Sequence, residues 1–124
     1  MSRRDSLHRI GQLTCSLIWL HFGVIISFAD EVTEKIFLGD ELTRRELKKL
    51  GDLDVAKTQE RLAVLHQATE KDLLTLPFLH YHALRGSKRY SIDANSRRSK
   101  WRITFAWADQ DRVDVQPVCI EDTH

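Results

Sequence analysis

The sequence predicts an α+β domain, with a short N-terminal strand and two or three helices packed on a mostly antiparallel sheet of four to five strands. Three observations predict it. Apolar residues recur at the helical period as far as Pro77 and at a period of two from Phe78 onward. Trp101, Ile103, Phe105 and Trp107 alternate with Arg102, Thr104 and Ala106, the clearest strand pattern in the chain. Gly86-Ser87, Asn95-Ser96 and Asp109-Gln110-Asp111 punctuate the second half as turns between strands. A length of 124 residues leaves room for one domain, and 42% hydrophobic against 30% charged residues excludes a disordered chain.

Taken in order, the first thirty residues admit two readings. Arg3, Arg4 and Arg9 precede an apolar run from Leu13 to Ala29, the outline of a secretory signal with Ser27-Phe28-Ala29 at its cleavage site. Ser2-Arg3-Arg4 resembles the start of a twin-arginine signal. Thr14, Ser16, His21 and Ser27 interrupt the run, so it reads poorly as a membrane span. Divided at Val24, the run instead supplies a first strand, Val24 to Phe28. Residues 1–23 are then an extension encoded upstream of the natural start, and 24–124 is the domain.

A helix is expected from about Ala29 to Phe37, with Asp30, Glu31 and Glu34 at its favoured end. Gly39-Asp40 breaks it, and a polar segment from Thr43 to Asp52 leads to a longer helix from about Asp54 to Ala68. Val55, Leu62 and Leu65 share its inner face, while Asp54 or Asp52 caps its start. Glu70 to Leu76 forms a further short turn of helix, stopped by Pro77. Phe78, His80, His82 and Leu84 then alternate with Leu79, Tyr81 and Ala83 as a strand. Tyr90 and Ile92 begin the next, Trp101 to Trp107 forms the third, and Val113 and Val115 open a last strand that Pro117 disturbs or ends.

The net charge of +1 conceals an uneven distribution. Residues 85–102 hold Arg85, Lys88, Arg89, Arg97, Arg98, Lys100 and Arg102 against Asp93 alone. Such a stretch attracts phosphate, although lysine and arginine also blunt exposed strand edges. Cys15 and Cys119 cannot make a disulfide framework or a four-thiolate zinc site, and a reducing compartment fits them best. His80-x-His82, completed by His66, Cys119 or His124, offers an alternative zinc shell without a second local ligand pair.

Five stretches then occur in order over residues 24–124: Ile25-Ile26-Ser27-Phe28-Ala29-Asp30, His82-Ala83-Leu84-Arg85-Gly86, Tyr90-Ser91-Ile92, Trp101-Arg102-Ile103-Thr104-Phe105 and Glu121-Asp122-Thr123-His124. Together they resemble the HigB branch of the RelE/ParE toxins, the plasmid-maintenance killer proteins of bacterial toxin–antitoxin pairs. The resemblance implies the RelE-like fold and a small, metal-independent endoribonuclease without cofactors, acting in the cytoplasm on messenger RNA in the ribosomal decoding site. It implies a helix-turn-helix antitoxin as partner, a toxin that is monomeric alone, and no membrane. By position, His82, Arg102, Asp122 and His124 match the family's catalytic residues, and Arg85 stands where lysine is usual. Thr123 departs from the usual tyrosine, the Ser87-Lys88-Arg89 turn is shorter than usual, and the last strand is lengthened around Pro117-Val118.

The chemistry is consistent with these residue types. Cleavage of RNA through its own 2′-hydroxyl needs a base for that proton, an acid for the leaving 5′-oxygen and cations for the phosphate. His82, His124 and Asp122 supply acid–base groups, while Arg85, Arg102, Lys88, Arg89, Arg97, Arg98 and Lys100 supply positive charge. His82 and Arg102 can also be read as structural, Arg102 through a pair with Asp93 or Asp114. Three other functions compete: a ParE-like protein that poisons DNA gyrase, an inactive relative that only binds an antitoxin, and a secreted domain with a Cys15–Cys119 bridge.

Overall fold

The computed structural model describes residues 24–123, so residues 1–23, including Cys15, and the terminal His124 lie outside the described residues. Among the described residues four helices come first: α1 (Glu31–Leu38), α2 (Arg44–Leu50), α3 (Val55–Gln67) and α4 (Glu70–Leu74), followed by a 3₁₀ turn at Pro77–Leu79. Four strands follow: β1 (His82–Ala83), β2 (Tyr90–Asp93), β3 (Trp101–Trp107) and β4 (Val115–Asp122), joined as an antiparallel meander in the order β1-β2-β3-β4. The class is therefore α+β, as the change of period predicts.

The helices start where side chains can satisfy free backbone N–H groups. Asp30 caps α1 by accepting from the Thr33 amide at 2.8 Å, so it precedes the helix instead of belonging to it. Asp54, and not Asp52, caps α3 by accepting from the Lys57 amide at 3.0 Å. The segment expected to be merely polar, Thr43 to Asp52, is α2. Thr43 and Glu46 form a reciprocal capping box there, which stabilises seven residues that show little apolar periodicity.

The N-terminal strand is only partly realised. Ile25 and Phe28 make isolated parallel bridges to Val115 and Val118, outside the continuous ladders. The expected strand from Phe78 is also corrected, because Pro77 starts a 3₁₀ turn that places Leu79 in the core and leaves Phe78 exposed. His80 then takes a left-handed backbone at φ 52° and ψ 46°, so pairing begins only at His82. Pro117 does not end the last strand. β4 passes through it, with a cis Gln116–Pro117 peptide and a register shift opposite Thr104 to Ala106.

The core lies between the helical layer and one sheet face. Leu62 and Leu65 of α3 are buried with Leu73, Leu79, Ile92, Ile103, Phe105, Val115 and Val118. Strand alternation sends Asp93, Arg102, Thr104 and Ser91 to the opposite, polar face. At the sheet's other end, the Tyr81 hydroxyl donates to Glu70 Oε2 at 2.6 Å and accepts from Trp107 Nε1 at 3.0 Å. Arg112 Nη1 joins the same Glu70 oxygen at 2.5 Å.

Candidate active site

Residues directly opposite one another on antiparallel strands project to the same face. His82 opposes Ser91, which opposes Thr104, which opposes Cys119, giving one row across all four strands. The adjacent row is Asp93, Arg102 and Glu121, and the β1–β2 register extended by two residues puts His80 opposite Asp93. The sheet thus gathers His80, His82, Asp93, Arg102, Thr104 and Glu121 on one polar face.

His82 is exposed, and its Nδ1 lies 2.7 Å from the His80 carbonyl oxygen. A carbonyl oxygen only accepts, so this bond places a proton on Nδ1, and in the neutral ring Nε2 is then the acceptor. That is the tautomer a general base needs.

Asp93 has a wholly buried side chain flanked by an imidazole and two guanidinium groups. His80 Nδ1 lies 2.7 Å from Oδ2, while Arg102 Nε and Arg97 Nη1 lie 3.3 and 3.6 Å from Oδ1. Neither carboxylate oxygen has a partner with hydrogen-bond alignment, so the attraction is chiefly coulombic. Arg102 does point away from Trp101 and Ile103, as its strand position predicts, yet its side chain is only 7% exposed. Its guanidinium donates to the carbonyl oxygens of Ser99, Trp101 and Arg97, the last two at 2.8 and 3.3 Å. Arg102 therefore ties down the β2–β3 loop with donors directed inward. Its pair with Asp93 is the structural alternative foreseen from the sequence.

Asp122 opposes Trp101 and so belongs to the other face, away from Arg102 and Glu121, although it sits at the same end of the sheet as the β2–β3 loop. His124 lies outside the described residues. The basic residues divide in two. Arg85 and Lys88 are exposed on the β1–β2 turn, where Gly86 adopts φ 78°. Arg97, Arg98 and Lys100 are exposed on the β2–β3 loop at the far end of β2, with Lys100 Nζ 5.4 Å from the Trp101 ring centre. Arg89 is half-buried, and its Nη2 donates to Thr104 Oγ1 at 3.2 Å and to the Pro117 carbonyl at 2.9 Å. The Thr104 hydroxyl in turn donates to the Glu121 carboxylate.

The zinc alternative does not assemble among the described residues, which leave out His124. His80 is held by Asp93, His82 by a backbone carbonyl, and His66 Nδ1 accepts from the Ile25 amide at 3.1 Å in another layer. Among the described residues no group of three His, Cys, Asp or Glu side chains converges on one point. Burial, with the Asp30 and Glu121 carboxylates nearby, pushes the Cys119 thiol up to about 12, so it is neither nucleophile nor ready ligand. Among the described residues no helix is long and apolar enough to cross a membrane.

Sequence reasoning left Arg61 out of this region. Its guanidinium reaches from α3 to the carbonyls of Asp93 and Asn95 at 3.1 and 3.2 Å, and lies over Phe78. Nothing local announces such a contact between residues more than thirty positions apart. No family model, curated protein or solved structure matches the chain.

Proposed function

We propose that the chain is the toxin of a type II toxin–antitoxin pair, an endoribonuclease that cuts messenger RNA in the ribosomal decoding site and is silenced by a helix-turn-helix antitoxin. The observation that carries this reading is His82. Its imidazole is exposed on a polar sheet face, Nδ1 is tied to a carbonyl, and Nε2 is left as acceptor between two cationic loops. In the reaction Nε2 takes the 2′-hydroxyl proton, and the 2′-oxygen attacks phosphorus to give a 2′,3′-cyclic phosphate as the bond to the 5′-oxygen breaks. Arg85 and Lys88 at one end, with Arg97, Arg98 and Lys100 at the other, hold the RNA backbone. The family likeness also sets Asp122 and His124 at the site, but Asp122 lies on the other sheet face and His124 outside the described residues, so neither is assigned a step. Arg102 serves by fixing the loop that carries Arg97, Arg98 and Lys100.

A second reading, a protein that binds an antitoxin or gyrase without cutting RNA, is favoured by one observation. Arg102, the arginine that the family likeness sets at the reaction centre, is engaged internally. Mapping message ends in a purified translation reaction separates the two. Under the nuclease reading the full chain produces cuts inside translated codons that need ribosomes and disappear in His82→Ala. Message left intact by the unaltered protein would replace that reading with the second.

A further inference from the structure

We propose that His80 is the proton donor to the leaving 5′-oxygen, an inference that rests on the RNA-cleavage reading above. Four observations point to it. The His80 side chain is 44% exposed, while the Asp93 carboxylate at its Nδ1 is wholly buried. The ring therefore lies against a buried anion while nearly half of the side chain stays open to solvent. A carboxylate beside Nδ1 offsets the positive charge that an imidazole carries when doubly protonated.

The anion is itself fixed, because Arg102 and Arg97 approach its other oxygen from β3 and from the β2–β3 loop. His80 also occupies a left-handed backbone, a conformation that a residue with a Cβ adopts only when its surroundings impose it. That twist ends the 3₁₀ turn and directs the ring toward Asp93 instead of letting it continue as a strand residue. Finally, the His80 carbonyl is the atom that fixes the His82 tautomer. The two rings are thus set by one short segment, opposite Asp93 and Ser91 on the same face.

The division of labour follows from the two anchors. His82, against a neutral carbonyl, takes the 2′-proton at Nε2. His80, against a carboxylate, passes its Nε2 proton to the 5′-oxygen as the P–O5′ bond breaks. One proton is accepted and one donated, and solvent exchange restores both rings. Asp93 acts as the positioning residue.

The test uses the full chain and ribosomes programmed with a synthetic message whose scissile bond carries either the ordinary 5′-oxygen or a bridging 5′-sulfur. A thiolate leaves without a proton, so the sulfur message does not need the acid. His80→Asn and His80→Gly both accept a left-handed backbone. Each is expected to cut the oxygen message about 10²–10⁴-fold more slowly, yet the sulfur message near the unaltered rate. Asp93→Asn should be rescued by sulfur in the same sense, whereas His82→Ala should be slow on both. Unaltered cutting of the oxygen message by the His80 variants, or equal slowing on both messages, would overturn the assignment while leaving the nuclease standing. An unaltered protein that cuts neither message would remove the nuclease reading, and this inference with it.

Discussion

Replacing Arg102 or Asp93 singly should destabilise the domain far more than a typical surface change. The Asp93 side chain is wholly buried and that of Arg102 is 7% exposed, so neither charge is offset by bulk water. Breaking such a pair from one side costs about 3–5 kcal/mol, because the remaining charge stays buried. The lower end applies here. His80 and Arg97 remain near Asp93 at 2.7 and 3.6 Å, but their side chains are 44% and 58% exposed and only partly replace the lost guanidinium. At about 3 kcal/mol, and with roughly 4–8 °C of melting temperature per kcal/mol for a domain of this size, Arg102→Met should melt some ~12–24 °C lower. Because the contacts to Asp93 lack hydrogen-bond alignment, the pair repays its desolvation poorly. The double replacement Asp93→Leu with Arg102→Met should therefore be more stable than either single one, with a coupling of about 2 kcal/mol in urea unfolding. Single variants within about 0.5 kcal/mol of the unaltered protein, or simple additivity, would refute the reasoning.

Other expectations follow from the same contacts. Burial holds the His66 imidazole below its ordinary value of 6.5, and its Nδ1 must accept from the Ile25 amide, so protonation opposes folding. The unfolded chain binds the extra proton, hence this contribution is whole above about pH 6.5 and declines as pH falls through the lower folded value. Melting curves from pH 7.5 to 5 should show the decline, and His66→Phe should flatten it. Tyr81→Phe removes the donor to Glu70 and the acceptor of Trp107, and should cost about 1–2 kcal/mol at pH 7 by urea unfolding. Burial raises the Glu70 carboxyl, but bonds from Tyr81 and Arg112 outweigh it and hold the group low. The Tyr81→Phe deficit should accordingly shrink as pH falls through that lowered value and Glu70 protonates. Cys119, with its thiol raised to about 12, should alkylate at least about 100-fold more slowly at pH 8 in folded than in urea-unfolded Cys15→Ser protein, read by mass spectrometry.

The parts of the fold legible in the sequence were those governed by local physics. Alternation set β3, the Asp30 and Asp54 carboxylates set two helix starts, and the Leu62–Leu65 spacing identified a buried helix face. The α2 helix was missed although Thr43 and Glu46 stand at capping-box spacing, because its seven residues are nearly all charged and show no apolar stripe. The segment 78–84 was misread for a different reason. Its alternation is real in the letters, but Pro77 starts a 3₁₀ turn and His80 follows it in a left-handed conformation, so the ladder opens only at His82. The basic stretch was visible as a run. Its division into two clusters follows only from the meander, which puts consecutive turns at opposite ends of β2. Asp93 was legible only as one of two acids that could pair with Arg102, and the register makes it the centre of the site.

That centrality changes how an Arg102 variant must be read. A described domain of 100 residues is expected to have about 5–15 kcal/mol of stability. A loss of about 3 kcal/mol that leaves 2 kcal/mol still keeps all but roughly 3% of the molecules folded. A hundredfold loss of cleavage by unfolding alone would require the unfolded state to be favoured by about 2.7 kcal/mol. Arg102→Ala, assayed well below its melting temperature, should therefore cut ribosome-bound message within about tenfold of the unaltered rate, the deficit arising from looser binding as the loop of Arg97, Arg98 and Lys100 loses its anchor. Single-turnover rates at saturating ribosomes, measured beside circular dichroism of the same sample, separate binding, chemistry and folding. A loss of a hundredfold or more in the cutting step of a folded sample would contradict the inward role. It would mean that the guanidinium leaves Asp93 for the phosphate when RNA arrives, leaving that carboxylate to His80 and Arg97.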